Sequence, residues 1–121
     1  MSEPLLYRVE DGLARITLNR PQRLNAFNAD LAHAWAEATA AAVRDSAVGA
    51  ILIEGEGRAF CAGGDVIDMA TGMGGSADIQ RLADVIHSGI ASLVSSSVPV
   101  VAAAHGTTAG GGLGILLASD Y

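Results

Sequence analysis

The chain has 121 residues, half of them hydrophobic, enough for one domain with a sizeable core. Seven arginines against thirteen acidic residues leave a net charge of −6, which argues against a nucleic-acid or anionic-membrane partner. The N-terminal stretch has no basic segment leading into an apolar one, and no apolar run approaches bilayer length, so a soluble cytoplasmic protein is expected.

Leu5 to Glu10 and Leu13 to Leu18 are short runs split by Asp11-Gly12, a preferred type I′ turn, and predict a β-hairpin. Asn19 to Asn25 is a polar loop broken by Pro21 and carrying Arg20 and Arg23. Asn28 reads as an N-cap with Asp30 in the first turn; Leu31, Trp35, Ala38, Thr39 and Ala42 then form one face of a helix to about Asp45. Val48 to Ile53 is apolar almost throughout and predicts a strand covered on both faces. Glu54 to Asp65 is a glycine-rich turn, followed by a predicted helix over Asp65 to Ala70 and a loop over Thr71 to Ala77. Asp78 is placed to cap a helix on Ile79 to Ser95, with Ile79, Leu82, Ala83, Ile86, Ile90 and Leu93 facing the core. Val100 to Ala104 reads as a buried strand, and Leu113, Leu116 and Leu117 recur at helical spacing after Gly110-Gly111-Gly112. The alternation predicts parallel α/β packing with crossovers, in one domain without an internal repeat.

Two strand, glycine-turn, helix units therefore lie in one short chain. Glycines at a helix start let backbone N–H groups approach a bound group, and the first N–H groups of a helix have no intrahelical partner. A backbone anion hole is one reading of Gly110 to Gly112. A turn that merely lets a helix pack closely on a strand is the other. A P-loop is excluded, since Gly111 is followed by Gly112 and Leu113 and the chain has no lysine. A dinucleotide fingerprint fails because glycine would be needed at Ile115 or at Leu117. Cys61 has no Cys or His partner at metal-ligand spacing, so neither an internal disulfide nor a metal site is expected.

Taken together, Leu18 to Ala26 (LNRPQRLNA), Ala50 to Gly55 (AILIEG), Ala59 to Asp65 (AFCAGGD), Pro99 to Gly106 (PVVAAAHG) and Ala109 to Gly112 (AGGG) resemble the crotonase superfamily, the enoyl-CoA hydratase/isomerase family. The resemblance covers nearly the whole chain. It implies a spiral of ββα units, usually assembled as trimers or pairs of trimers, acting on coenzyme A thioesters without a tightly bound cofactor. By the same resemblance, the backbone N–H groups of Ala62 and Gly111 form an oxyanion hole for the thioester carbonyl. Coenzyme A runs along Ala62, Gly63, Gly64, Asp65 and Val66, with Leu24 and Ala26 nearby. Arg23 sits where the family often has a basic residue near the phosphates, a solvated loop arginine being the other reading. Cys61, among apolar neighbours and without an adjacent base, reads as a structural thiol. His105 reads as structural, because the family's bases are usually carboxylates. His33 and His87 fall on helices as ordinary surface or packing residues.

Hydratases of the family carry glutamate two positions after the third glycine, and here that position is Gly114. Hydration uses two carboxylates whereas double-bond migration needs one, so the resemblance implies an isomerase ahead of a hydratase. A non-catalytic acyl-CoA-binding or scaffold member is the alternative from another class. A serine hydrolase is disfavoured, since no Gly-x-Ser-x-Gly elbow occurs. The family's second acid/base is expected beyond Tyr121, which would make this chain the N-terminal part of a single domain, truncated after the helix that follows the Gly-Gly-Gly turn.

Overall fold

The computed structural model describes residues 3–64 and 76–121. Strands β1 (Leu5–Glu10) and β2 (Leu13–Leu18) form the expected hairpin, paired antiparallel from Leu5↔Leu18 to Glu10↔Leu13. Asp11 and Gly12 both have positive φ, as a type I′ turn requires. A 3₁₀ turn at Pro21–Arg23 leads to α1 (Ala29–Arg44), whose N-cap Asn28 accepts from Leu31 N–H at 2.9 Å. Strand β3 (Ala50–Gly55), α2 (Ser76–Ser95), β4 (Val100–Ala103) and α3 (Gly111–Ala118) follow. The four strands form one sheet in chain order, with β2–β3 and β3–β4 parallel. The predicted helix over Asp65 to Ala70, and Thr71 to Gly75 of the predicted loop, lie outside the described residues.

One face of the sheet is covered. Ala14, Ile16, Leu18, Ile51, Ile53 and Val100 are buried with Leu31, Trp35, Ala38 and Ala42 of α1 and with Leu82, Ile86 and Leu93 of α2. Trp35 anchors the two helices to each other. Its indole N–H donates to Ile86 O at 3.1 Å, and its ring meets Phe27 edge-on with centroids 6.3 Å apart. Such an aromatic pair adds about 0.5–1.5 kcal/mol beyond the area it buries.

Among the described residues the opposite face is less covered, against the expectation of a strand buried on both faces. Ile51 and Ile53 are buried, but Leu52 and Glu54 on the other face are only half-buried and Val101 of β4 is exposed. Three further expectations change. Asp78 lies inside the first turn of α2, paired with Arg81, because the helix already begins at Ser76. Ile79 is exposed, one turn ahead of the first core contact at Leu82. In α3 Ile115 is the buried large side chain among the described residues, while Leu113 and Leu117 are exposed, because Gly112 and Gly114 lie on the close-packed face.

Candidate active site

Residues 60–64 leave β3 as an extended segment between two others. On one side Phe60 N–H donates to His105 O (2.8 Å), Cys61 N–H to Thr107 O (3.2 Å) and Ala109 N–H back to Cys61 O (3.0 Å). On the other, Ala62 N–H donates to Leu24 O (3.0 Å) and Phe27 N–H to Gly63 O (2.7 Å). Backbone hydrogen bonds thus gather both glycine turns and the Arg23 to Phe27 loop.

This pattern decides which way each amide points. Ala62 has one amide hydrogen, and it is committed to Leu24 O, on the side away from the second turn. The Ala62 N–H, which the resemblance gave as a donor to a thioester oxygen, thus has a backbone acceptor in this structure. A trans peptide is planar, with C=O and the following N–H antiparallel. Since the Gly63 carbonyl faces Phe27 N–H, the Gly64 N–H faces the opposite way, toward the second turn. Among the described residues no acceptor takes it. The plane is set by Gly63, whose φ of +105° suits glycine alone. Gly110 closes on it: a Cβ there would stand 3.2 Å from Gly63 Cα and 4.0 Å from Gly64 N. Gly111 is the first residue of α3, where the N–H has no carbonyl within the helix to bond.

The other residues singled out by sequence fall around this junction. Leu24 adopts φ +55° and supplies the carbonyl that holds Ala62. Ala26 is buried, its carbonyl accepting from Arg20 Nη1. Arg23 is half-buried at the end of the 3₁₀ turn, and Asp65 and Val66 lie outside the described residues. Gly114 is half-buried on α3, with the position of a Cβ 3.1 Å from Ile90 Cδ1. Cys61 is fully buried, and burial raises its thiol pKa above the ordinary value while the N–H groups of Gly63 and Gly112 oppose the shift. His105 uses Nε2 on Gly57 O at 2.6 Å, tying one glycine turn to the other. His33 and His87 are exposed on α1 and α2. A groove of about 520 Å³ between α1 and α2, floored by Ala32, Leu82 and Val85, shares no residue with the glycine turns.

Sequence reasoning passed over two residues here. Asn25 is wholly buried and Arg20 nearly so, both within a stretch that reads as a polar surface loop. The available signal was the change from polar to apolar at Leu24-Asn25-Ala26-Phe27, which leaves Asn25 flanked by side chains that seek the core.

No helix among the described residues is long and apolar enough to cross a membrane. Residues 8–121 match the family described as Enoyl-CoA hydratase/isomerase. The chain is 34% identical over 118 residues to the probable enoyl-CoA hydratase EchA14 of Mycobacterium tuberculosis, covering 98% of this chain and 45% of that protein. It is 35% identical over 125 residues to the 1,2-epoxyphenylacetyl-CoA isomerase of Escherichia coli K12, covering 99% of this chain and 47% of that one. The fold superposes on a solved enoyl-CoA hydratase of Mycobacterium smegmatis with a TM-score of 0.89 at 29% identity, covering 98% of this chain and 46% of that one. The chain thus spans about half the length of the relatives it matches. By sequence over nearly all its residues, and by the fold that gathers its two glycine turns, the chain belongs to the enoyl-CoA hydratase/isomerase family.

Proposed function

We propose that this chain binds an acyl-CoA thioester and holds its carbonyl oxygen between the backbone N–H groups of Gly64 and Gly111, stabilising the negative charge of an enolate. The observation that carries the reading is the peptide plane between Gly63 and Gly64, which turns toward the start of α3 an N–H that has no acceptor among the described residues. Gly64 takes the place that the resemblance gave to Ala62. Fixed donors aimed at a developing oxyanion need no reorganisation, and loss of one typically lowers turnover about 10²–10³-fold. Coenzyme A would lie along Leu24, Ala26 and Ala62 to Val66, with Arg23 toward its phosphates. Family grounds also support a trimer or pair of trimers in the cytoplasm.

Double-bond migration is favoured over hydration. Gly114 offers no carboxylate to activate water, and a side chain at that position must first displace Ile90 Cδ1. Migration would need only a single carboxylate acting as acid and base. One observation favours the second reading, a binding module without turnover: Asp120, the acid that follows α3, spends its Oδ2 on Val100 N–H at 2.8 Å.

The assay offers a 3-enoyl-CoA and a trans-2-enoyl-CoA to the full-length protein. Isomerised product forming faster than 3-hydroxyacyl-CoA supports the reading. Hydration that outpaces migration, and is not raised by Gly114→Glu, overturns the isomerase assignment. Binding of both substrates without any product supports the module.

A further inference from the structure

We propose that Asn25 is a positioning residue that aims the Gly64 N–H. The inference rests on Gly64 being a carbonyl donor. Asn25 has no exposed surface, yet it sits on a loop, where a buried polar side chain is unfavourable unless bonded. Its Oδ1 accepts from Arg20 N–H at 2.7 Å, and its Nδ2 donates to Glu56 O and to Ala59 O, each at 2.9 Å. Only the amide orientation with nitrogen toward the two carbonyls pairs every donor with an acceptor. Aspartate has the same shape and would present an acceptor to both carbonyls. Gly55 leaves the space: a Cβ on it would stand 2.9 Å from Asn25 Nδ2.

The two bonds to Glu56 O and Ala59 O clamp the Arg20 to Phe27 loop to the segment between β3 and Phe60, and the bond from Arg20 N–H closes the loop on itself. They hold Leu24 and Asn25 both at φ +55°, a conformation unfavourable for leucine. In that conformation Leu24 O meets Ala62 N–H and Phe27 N–H meets Gly63 O. The second of these bonds sets the peptide plane that carries the Gly64 N–H. Releasing the clamp lets the loop leave the left-handed region and frees that plane. Asn25 thus acts on the substrate carbonyl through two backbone steps and touches no substrate itself.

The test compares affinities of the full chain for hexanoyl-CoA and for S-hexyl-CoA, a thioether without the carbonyl, by titration calorimetry. Two hydrogen bonds to the carbonyl give the wild type a preference for the thioester of about tenfold. Asn25→Asp and Asn25→Ala should reduce that ratio below about twofold, the S-hexyl-CoA affinity falling less than the hexanoyl-CoA affinity because the same loop carries Leu24 and Ala26 of the coenzyme A path. A full preference retained in either folded variant overturns the proposal. Parallel loss of both ligands overturns it too, as does unfolding of both variants, since Asn25 would then hold the fold and not the aim. Absence of any preference in the wild type overturns the Gly64 reading itself, which separates that failure from this one.

Discussion

Gly112 lies against Cys61 so closely that a Cβ on it would stand 2.6 Å from Cys61 Cβ and 2.7 Å from Cys61 O. One partner atom is backbone, hydrogen-bonded to Ala109, so the contact cannot be relieved by a rotamer change. Gly112→Ala should therefore force the two glycine turns apart and cost about 1–3 kcal/mol, the range for overpacking a filled site. Urea unfolding of the variant measures it, and a midpoint equal to wild type would contradict so tight a junction.

Gly89 gives a prediction whose sign opposes helix propensity. Glycine to alanine inside a helix ordinarily gains about 0.5–1 kcal/mol. On α2, however, the new Cβ would sit 2.2 Å from Trp35 Nε1, inside the indole whose N–H donates to Ile86 O. Displacing a buried tryptophan outweighs the propensity gain, so Gly89→Ala should lower stability by about 1–3 kcal/mol. A stabilised variant in thermal melting would show that α1 and α2 are not packed through Trp35.

Cys61 should make stability fall in alkali. Burial raises its pKa, so the folded chain keeps the thiol proton to higher pH than the unfolded chain does. Stability from this group is complete below the unfolded value, near 9.0, and is lost as pH rises from there through the folded value. Cys61→Ala should flatten the start of that decline. A later decline should remain from Tyr7, raised first by burial and then by the Asp45 carboxylate. Superimposable pH profiles for wild type and Cys61→Ala would contradict the assignment.

The isolated chain should self-associate. Leu113 and Leu117 lie one helical turn apart on α3 and are 45% and 76% exposed, with Val94 at 65% and Tyr121 at 82%. A helix without a polar residue before Ser119 has no face suited to water. Sedimentation should show concentration-dependent association, reduced by Leu117→Glu. A monodisperse monomer at all concentrations would contradict this.

Periodicity and capping carried most of the fold into view. Asp11-Gly12 dictates the hairpin, Asn28 and the Leu31 to Ala42 stripe dictate α1, and the apolar runs at Ala50 and Val100 dictate parallel strands. Hydrophobic spacing alone could not say which leucines of α3 face inward, because the glycines at 112 and 114 bury their own side by close approach. Nor could it show the aim of an amide. Ala62 and Gly64 are both small residues in one turn, and only the bonds to Leu24 and Phe27 distinguish them. Asn25 was hidden for a similar reason: its carbonyl partners, Glu56 and Ala59, lie more than thirty residues away in sequence.

Gly64 and Gly111, and not Ala62, are proposed to present N–H groups to a thioester carbonyl. Amide NMR of the chain, titrated with hexanoyl-CoA and with S-hexyl-CoA, tests it most directly. The Gly64 and Gly111 amide protons should move downfield with the thioester and much less with the thioether, while Ala62 does not respond to the carbonyl. A downfield shift at Ala62 with Gly64 unmoved would contradict it.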